Sequence, residues 1–155
     1  MGKEIERKYL IKTDNYRSCS SKKYYKQGYL STSEERVVRI RIVEEKGFIT
    51  IKGKNKGATR LEYEYQIPVN EANELIDTLC IHPIIEKFRY TCKIDDLTWE
   101  IDEFLGDNTG LVIAEVELPE ENYPIILPDW IGKEVTGDTQ YYNSNLVKHP
   151  YKEWK

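Results

Sequence analysis

In seven separate segments of this 155-residue chain, charged side chains stand at alternate positions and apolar ones fill the places between. Side chains two residues apart share one face of an extended strand, whereas on a helix they do not. The alternation therefore predicts strands, each with a charged face and an apolar face. Glu4, Glu6 and Lys8 share the charged face of the first. Arg39 and Arg41 share that of another, with Val38, Ile40 and Ile42 behind them, and Lys52 stands on the face away from Ile49 and Ile51. Glu62 and Glu64 alternate with Leu61, Tyr63 and Tyr65; Lys87 and Arg89 alternate with Phe88 and Tyr90. Glu100 and Asp102 alternate with Trp99 and Ile101, and Glu115 and Glu117 with Ala114, Val116 and Leu118. These faces hold eight acids and six bases.

The rest of the chain fits the same architecture. Strands are expected over Lys3–Leu10, Lys23–Leu30, Glu35–Val43, Phe48–Gly53, Thr59–Ile67, Ile84–Ile94, Thr98–Phe104 and Leu111–Leu118, all rich in β-branched and aromatic residues. Reversals are expected at Glu45–Gly47, at Asp95–Asp96 and through Gly106–Gly110. Asn70–Leu79 reads as a helix, with Ala72, Leu75, Ile76 and Leu79 at helical spacing. Thr139–Leu146 reads as a shorter helix, and Asp129–Ile131 as a single turn after Pro128. No linker or repeat divides the chain, so residues 1–155 are expected to form one domain. The fold class is mainly β (α+β): a closed eight-stranded antiparallel barrel with a few flanking helices. Closure removes the exposed edges that an open sheet would leave.

Composition excludes several functions. The 23 Lys plus Arg against 27 Asp plus Glu give a net charge of −4. That charge, and the lack of interleaved basic and aromatic residues on one open face, argue against nucleic acid as a partner. No apolar run approaches the ~20 residues of a membrane span, so no membrane partner is expected. The start of the chain has no apolar signal region. Cys19, Cys80 and Cys92 are odd in number and far apart, and His82 and His149 are isolated. Neither a zinc site nor a disulfide framework is expected, and a reducing cytoplasm is the expected compartment.

The charged faces point either outward to water or inward. Outward, they would pair as cross-strand salt bridges that contribute little each. A solvated face usually mixes Ser, Thr, Gln, Asn and Lys, however, and here the doublets are nearly pure acid or pure base. Inward, they would line a wet tunnel, with the apolar faces packed outside under helices and loops. Unpaired charges buried there would be prohibitive, but a tunnel that takes up water, metal and a polyanion removes the objection. Six cations suit a chain of phosphates, with Arg giving forked contacts and Lys a point charge. The acid doublets suit a hard divalent cation such as Mg²⁺ or Mn²⁺, which lets carboxylates and phosphates share one cavity. That combination is the chemistry of phosphoryl or nucleotidyl transfer.

Glu4-Ile-Glu-Arg-Lys8 is a Glu-x-Glu-x-Lys signature near the start of the chain. With it come Gln27-Gly-Tyr-Leu30, Val38-Arg-Ile-Arg41, Ile51-Lys52, Glu62-Tyr-Glu64, Glu86-Lys-Phe-Arg-Tyr90, Trp99-Glu-Ile-Asp102, Gly110–Glu117, Glu134-Val-Thr136 and Tyr142-Asn143. In this order, over about residues 3–147, the chain resembles the CYTH superfamily, the triphosphate tunnel metalloenzymes. The resemblance implies an eight-stranded antiparallel tunnel binding a triphosphate with Mg²⁺ or Mn²⁺. It implies Glu4, Glu6, Glu115 and Glu117 as metal carboxylates, and Lys8, Arg39, Arg41, Lys52, Lys87 and Arg89 as phosphate-binding groups. The catalytic candidates are Lys8, orienting substrate, and Glu115 or Glu117, positioning and activating water. Glu62, Glu64, Glu100 and Asp102 lie in matching blocks, with three roles open: binding metal, orienting the bases or holding a water. Tyr29 either positions Lys8 or packs.

Short bacterial members look most like inorganic triphosphatases, which cleave tripolyphosphate to pyrophosphate and phosphate. The alternatives are a class IV adenylate cyclase, a thiamine or nucleoside triphosphatase, and a polyphosphate-binding module without turnover. Among the remaining residues, Tyr24, Tyr25, Tyr63, Tyr65 and Tyr90 are assigned to the outer packing layer and its rim, Trp99 and Trp130 to the core or to helix packing, and His82 to a turn. The apolar outer faces need cover from helices or from a second copy, so a homodimer is one arrangement the pattern allows.

Overall fold

The computed structural model of the chain describes residues 3–19 and 21–154. Among the described residues nine strands run in chain order: β1 (Lys3–Ile11), β2 (Ser21–Ser33), β3 (Arg36–Val43), β4 (Lys46–Lys52), β5 (Thr59–Ile67), β6 (Ile81–Ile94), β7 (Leu97–Phe104), β8 (Val112–Glu117) and β9 (Ile131–Glu134). Two α-helices, α1 (Val69–Thr78) and α2 (Asn143–Lys148), accompany them. The sheet order is β5-β4-β3-β2-β6-β7-β8-β1-β9, and a further pairing of β5 with β1 closes the first eight strands into an antiparallel barrel. β1 is the seam. One edge pairs with β8 from Glu6 to Leu10. The other meets β5 at Lys3–Ile5 and β9 at Tyr9 and Ile11. Between those two pairings the N–H of Lys8 donates to Thr136 Oγ1 at 2.9 Å.

The charged faces point into the barrel, so its outer surface is apolar and must be covered. Over β1, β6, β7 and β8 the cover comes from a 3-10 turn at Asp14–Ser18 and from the segment that follows β8. Tyr16 and Trp130 from these pieces pack with Tyr90, Trp99, Ala114 and Val116. Trp99 and Trp130 are thus core residues as expected, with ring centroids 5.9 Å apart. Over β2–β4 the cover is α1, whose Ala72 and Ile76 bury against Ile40. Gly47 lets that helix approach, because a Cβ there would lie 2.6 Å from the Ala72 Cβ.

Several expectations need correction. The β3–β4 reversal is a two-residue loop at Glu44–Glu45, with Val43 paired to Lys46 and Glu44 at φ 57°. Gly47 lies inside β4, where it serves the helix contact rather than the turn. The β6–β7 loop is Asp95–Asp96 as expected, with Asp95 at φ 56°. The single turn expected at Asp129–Ile131 is present, closed by the Ile131 N–H donating to the Pro128 carbonyl at 3.1 Å, but Ile131 also begins a strand that was not expected, β9. His82 stands in β6, its Nδ1 3.0 Å from the Cys80 carbonyl oxygen, and not in a turn. Cys19 and Cys92 form a disulfide, their Cα atoms 5.1 Å apart across 73 residues. The barrel lays the β1–β2 connection against β6, a proximity that sequence spacing does not reveal. This pairing withdraws the cysteine argument for a reducing compartment. Among the described residues no helix is long and apolar enough to cross a membrane.

Candidate active site

All six bases of the sequence pattern (Lys8, Arg39, Arg41, Lys52, Lys87 and Arg89) line one cavity of about 260 Å³ inside the barrel. Seven of the eight acids (Glu4, Glu6, Glu62, Glu64, Glu100, Glu115 and Glu117) line it too, together with Tyr29. The eighth acid, Asp102, is buried behind the bases, with 3% of its surface exposed. Strand register makes the constellation: Lys8 lies across from Glu115, Lys52 from Glu62 and Arg89 from Asp102.

The basic half of the lumen is held by a buried hydrogen-bonded network. Asp102 accepts from Lys87 Nζ at 2.6 Å, Arg89 Nε at 2.7 Å and Arg89 Nη2 at 2.9 Å. Its carboxyl stays well below the usual carboxylate range: burial opposes ionisation, but Arg89 and Lys87 outweigh it. Lys87 is pushed down to about 7 by burial, then by Arg89 and Arg41, against the pull of Asp102. Asn143, the first residue of α2, accepts from Lys87 Nζ at 2.8 Å and from Gln27 Nε2 at 3.1 Å. Gln27 in turn accepts from Arg41 Nε at 3.0 Å and donates to Tyr29 Oη at 3.1 Å. Tyr25 lies between two guanidiniums, with Arg41 and Arg89 4.9 and 4.8 Å from its ring. Its assignment to the outer layer is therefore wrong: it is two residues from Gln27, opposite Lys87, and faces inward. Arg39 donates to Thr50 Oγ1 at 3.0 Å, while its Nε is buried with no hydrogen-bond partner among the described residues. A buried donor without a partner suits an anionic guest.

The acidic half lies on β1, β5, β7 and β8. Glu6 stands opposite Glu117 and Glu100 opposite Glu115, like charges in cross-strand pairs that repel. Glu6 is pushed up to about 8 by burial, then by Glu115 and Glu4. Glu117 is also raised, by burial first and then by Glu4 and Glu62. Lys52 reaches Glu4 at 3.3 Å and Glu62 at 3.6 Å, and Lys8 reaches Glu115 at 3.0 Å. Glu115 is held down at about 2: burial opposes this, but Lys8 and Arg89 prevail. Among the described residues no three such side chains converge as a ready ligand cluster. The donor set nonetheless fits a hard divalent cation: it is oxygen-only, crowded and mutually repelling. Glu4, Glu6, Glu115 and Glu117 are the residues that would hold it.

The pattern of doublets missed several lumen residues. Arg60 lines the cavity two residues before Glu62, on the same face of β5, so its signal was present. It adds a seventh base, matching the seven acids there. A nearly neutral lining suits a polyanion that enters with divalent cations rather than a bare one. Tyr142 also lines the lumen, with Lys8 Nζ 4.9 Å and Arg60 Cζ 5.5 Å from its ring centre. Arg60 and Tyr142 stand at the border of a wider cavity of about 620 Å³, also lined by Arg7, Glu134, Thr136 and Lys148. This vestibule lies where the edge of β1 is shared between β5 and β9.

The match to known proteins follows the same geometry. A family model described as the CYTH domain matches residues 2–151. The chain belongs to the CYTH family. Two relatives of the chain are named inorganic triphosphatase. The protein of Acetivibrio thermocellus is 55% identical over 155 residues, covering 100% of this chain and 99% of the relative. That of Nitrosomonas europaea is 35% identical over 148 residues, covering 93% of this chain and 96% of the relative. The crystal structure of the inorganic triphosphatase NE1496 superimposes with a TM-score of 0.66 at 32% identity, covering 92% of this chain and 96% of that one. The CYTH barrel is thus the closed eight-stranded tunnel expected from the alternating charges.

Proposed function

We propose that this CYTH protein is a metal-dependent inorganic triphosphatase, one domain across residues 1–155, that cleaves tripolyphosphate to pyrophosphate and phosphate. The observation that carries the reading is the lumen itself, where seven bases and seven acids face one cavity of about 260 Å³. The names of two relatives that this chain matches over nearly their whole length support it.

Arg39, Arg41, Lys87 and Arg89 bind the phosphate chain, and their charge offsets the charge that grows on the leaving pyrophosphate. Lys52 and Lys8 stand between this basic wall and the carboxylates, where each can turn from its acid partner to a phosphate oxygen. Glu4, Glu6, Glu115 and Glu117 would hold Mg²⁺ or Mn²⁺, which would supply the positive charge that lets the carboxylates and the polyanion share the lumen. Glu115 is already engaged by Lys8 at 3.0 Å and Arg89 at 3.8 Å. That leaves Glu117, exposed and without an ion-pair partner among the described residues, to position the attacking water.

The inorganic substrate is favoured over a nucleotide or thiamine ester by the aromatic residues that line the lumen. Tyr29 is 3% exposed, its hydroxyl accepting from Gln27 at 3.1 Å, and Tyr142, 7% exposed, lies under Lys8 and Arg60. Neither offers a free face to a base or a thiazolium ring. The test is a parallel incubation with tripolyphosphate, ATP and thiamine triphosphate, each with Mg²⁺, Mn²⁺ or chelator. Phosphate and pyrophosphate from tripolyphosphate, stopped by chelator, are the expected products. Cyclic AMP, or turnover of an organic triphosphate alone, would contradict the assignment.

A further inference from the structure

Arg41 is held differently from the other bases of the charge pattern. Each of the other five has a carboxylate oxygen within 3.5 Å, from Lys87 with Asp102 at 2.6 Å to Arg39 with Glu64 at 3.5 Å. Arg41 has no carboxylate partner among the described residues. Its Nε donates to the Gln27 amide oxygen at 3.0 Å, and its terminal nitrogens make no hydrogen bond to the described residues. Its other neighbour is the ring of Tyr25, 4.9 Å from its Cζ. Tyr25 stands on β2, between the strands that carry Arg41 and Arg89. It faces Val43 of β3 on one side and Lys87 of β6 on the other, and the two guanidiniums reach its ring along the diagonals. The Tyr25 hydroxyl makes no hydrogen bond to the described residues, so the ring is what this side chain contributes.

The two guanidiniums repel each other, and they depend on the ring unequally. Arg41 is pushed down to about 9 by burial, then by Arg39 and Arg89, while Tyr25 pulls the other way. Arg89 is gripped by Asp102 at 2.7 and 2.9 Å and stays in place without the ring. A carboxylate in the place of Tyr25 would hold Arg41 but also neutralise it and compete with phosphate. An aromatic face attracts a guanidinium while carrying no net charge. We propose that Tyr25 is a positioning residue for Arg41: its ring, with the Gln27 amide, fixes the guanidinium through neutral partners and leaves the terminal nitrogens free for a phosphate oxygen. The proposal takes its substrate from the triphosphatase reading. It gives Tyr25 a part in holding the phosphate chain and none in breaking the bond, so loss of the ring falls on KM and not on kcat.

Two measurements with Mg²⁺ test this: steady-state kinetics on tripolyphosphate, and calorimetric Kd for imidotriphosphate, a nitrogen-bridged analogue that resists hydrolysis. Tyr25→Leu should raise KM and Kd about five- to tenfold, with kcat within about twofold of the parent. Tyr25→Phe keeps the ring and should hold both constants within about twofold. Replacing Tyr25 by phenylalanines of rising fluorine content, up to pentafluorophenylalanine, keeps the shape and drains negative charge from the ring face. KM and Kd should then climb step by step, and this series keeps the test intact if Tyr25→Leu loses its fold by circular dichroism. In an Arg41→Ala protein, Tyr25→Leu should add less than about twofold, because the ring acts through Arg41. Constants that stay level across the fluorinated series would overturn the proposal, and so would a full Tyr25→Leu loss on top of Arg41→Ala. A parent that binds imidotriphosphate but leaves tripolyphosphate intact would overturn the triphosphatase reading instead, and the Kd series would still decide the role of Tyr25.

Discussion

Replacing Asp102 by Asn tests whether this carboxylate holds the bases of the lumen in place. Asp102 is 3% exposed and accepts three hydrogen bonds of 2.6, 2.7 and 2.9 Å from Lys87 and Arg89. The amide keeps the shape but removes the charge and turns one acceptor into a donor aimed at other donors. Removing one partner of a buried ion pair costs about 3–5 kcal/mol, because the other charge is left uncompensated. At about 2–4 °C per kcal/mol for a domain of this size, the midpoint should fall by roughly 6–20 °C. The loss depends on pH with a definite sign. Lys87 titrates at about 7 in the folded protein, below its ordinary value, so the unfolded chain binds more protons above that pH. Losing the Asp102 charge lowers Lys87 further. Below pH 7 the variant must then expel a proton that the parent keeps, and above pH 7 both proteins hold Lys87 neutral. The stability loss should therefore be larger at pH 6 than at pH 8, with Arg89 setting the part that remains. Tripolyphosphate restores negative charge to the same bases, so it should raise the variant's midpoint more than the parent's. Thermal unfolding followed by circular dichroism, with and without tripolyphosphate and chelator, reads all three effects. A loss under 1 kcal/mol, or no greater rescue by the polyanion, would refute the reasoning.

Other changes probe the remaining parts. Glu4→Gln with Glu6→Gln should abolish metal-dependent turnover without loss of fold, since Glu6 is already pushed up to about 8 by burial and its acidic neighbours; parental turnover would sink the metal assignment. Arg41→Ala removes a charge-assisted contact of about 1.5–3 kcal/mol, so steady-state kinetics should show KM for tripolyphosphate rising roughly ten- to hundredfold. Asn143→Ala strips one acceptor from Lys87 and one from Gln27; stability should fall by about 1–3 kcal/mol in urea unfolding and KM should rise, whereas an unchanged KM would make Asn143 merely structural. Gly47→Val should cost about 1–3 kcal/mol in the same assay, because its Cβ collides with Ala72 under α1.

Much of the fold was legible because inward and outward residues differ so sharply. Thr59–Ile67 is a strand with the bounds expected, and its Glu62 and Glu64 line the lumen beside the bases. The parity that places Glu62 inside also places Arg60 there, and Tyr25 and Gln27 with Tyr29. Doublets of charge single out none of Arg60, Tyr25 and Gln27, although Gln27 stands in the Gln27–Leu30 block, and an apolar reading of Tyr25 does not show that its ring serves two arginines. Asn143 stands in the Tyr142-Asn143 block, but strand parity says nothing of its role: it reaches Gln27 across 116 residues of sequence, through a helix start whose position depends on the whole barrel. β9 escaped because its four residues pair only with Tyr9 and Ile11 of β1. The disulfide escaped for the same kind of reason, since the contact of Cys19 with Cys92 exists only once the β1–β2 connection lies on β6. Of the three roles left open for Asp102, the geometry favours orienting the bases, because Lys87 and Arg89 occupy its oxygens.

The most direct test of the central claim is the phosphorus NMR spectrum of tripolyphosphate incubated with the purified protein and Mg²⁺ or Mn²⁺. The account predicts equal amounts of pyrophosphate and phosphate, appearing with the divalent ion and suppressed by chelator. Intact tripolyphosphate under every metal condition, with the protein folded, would contradict it.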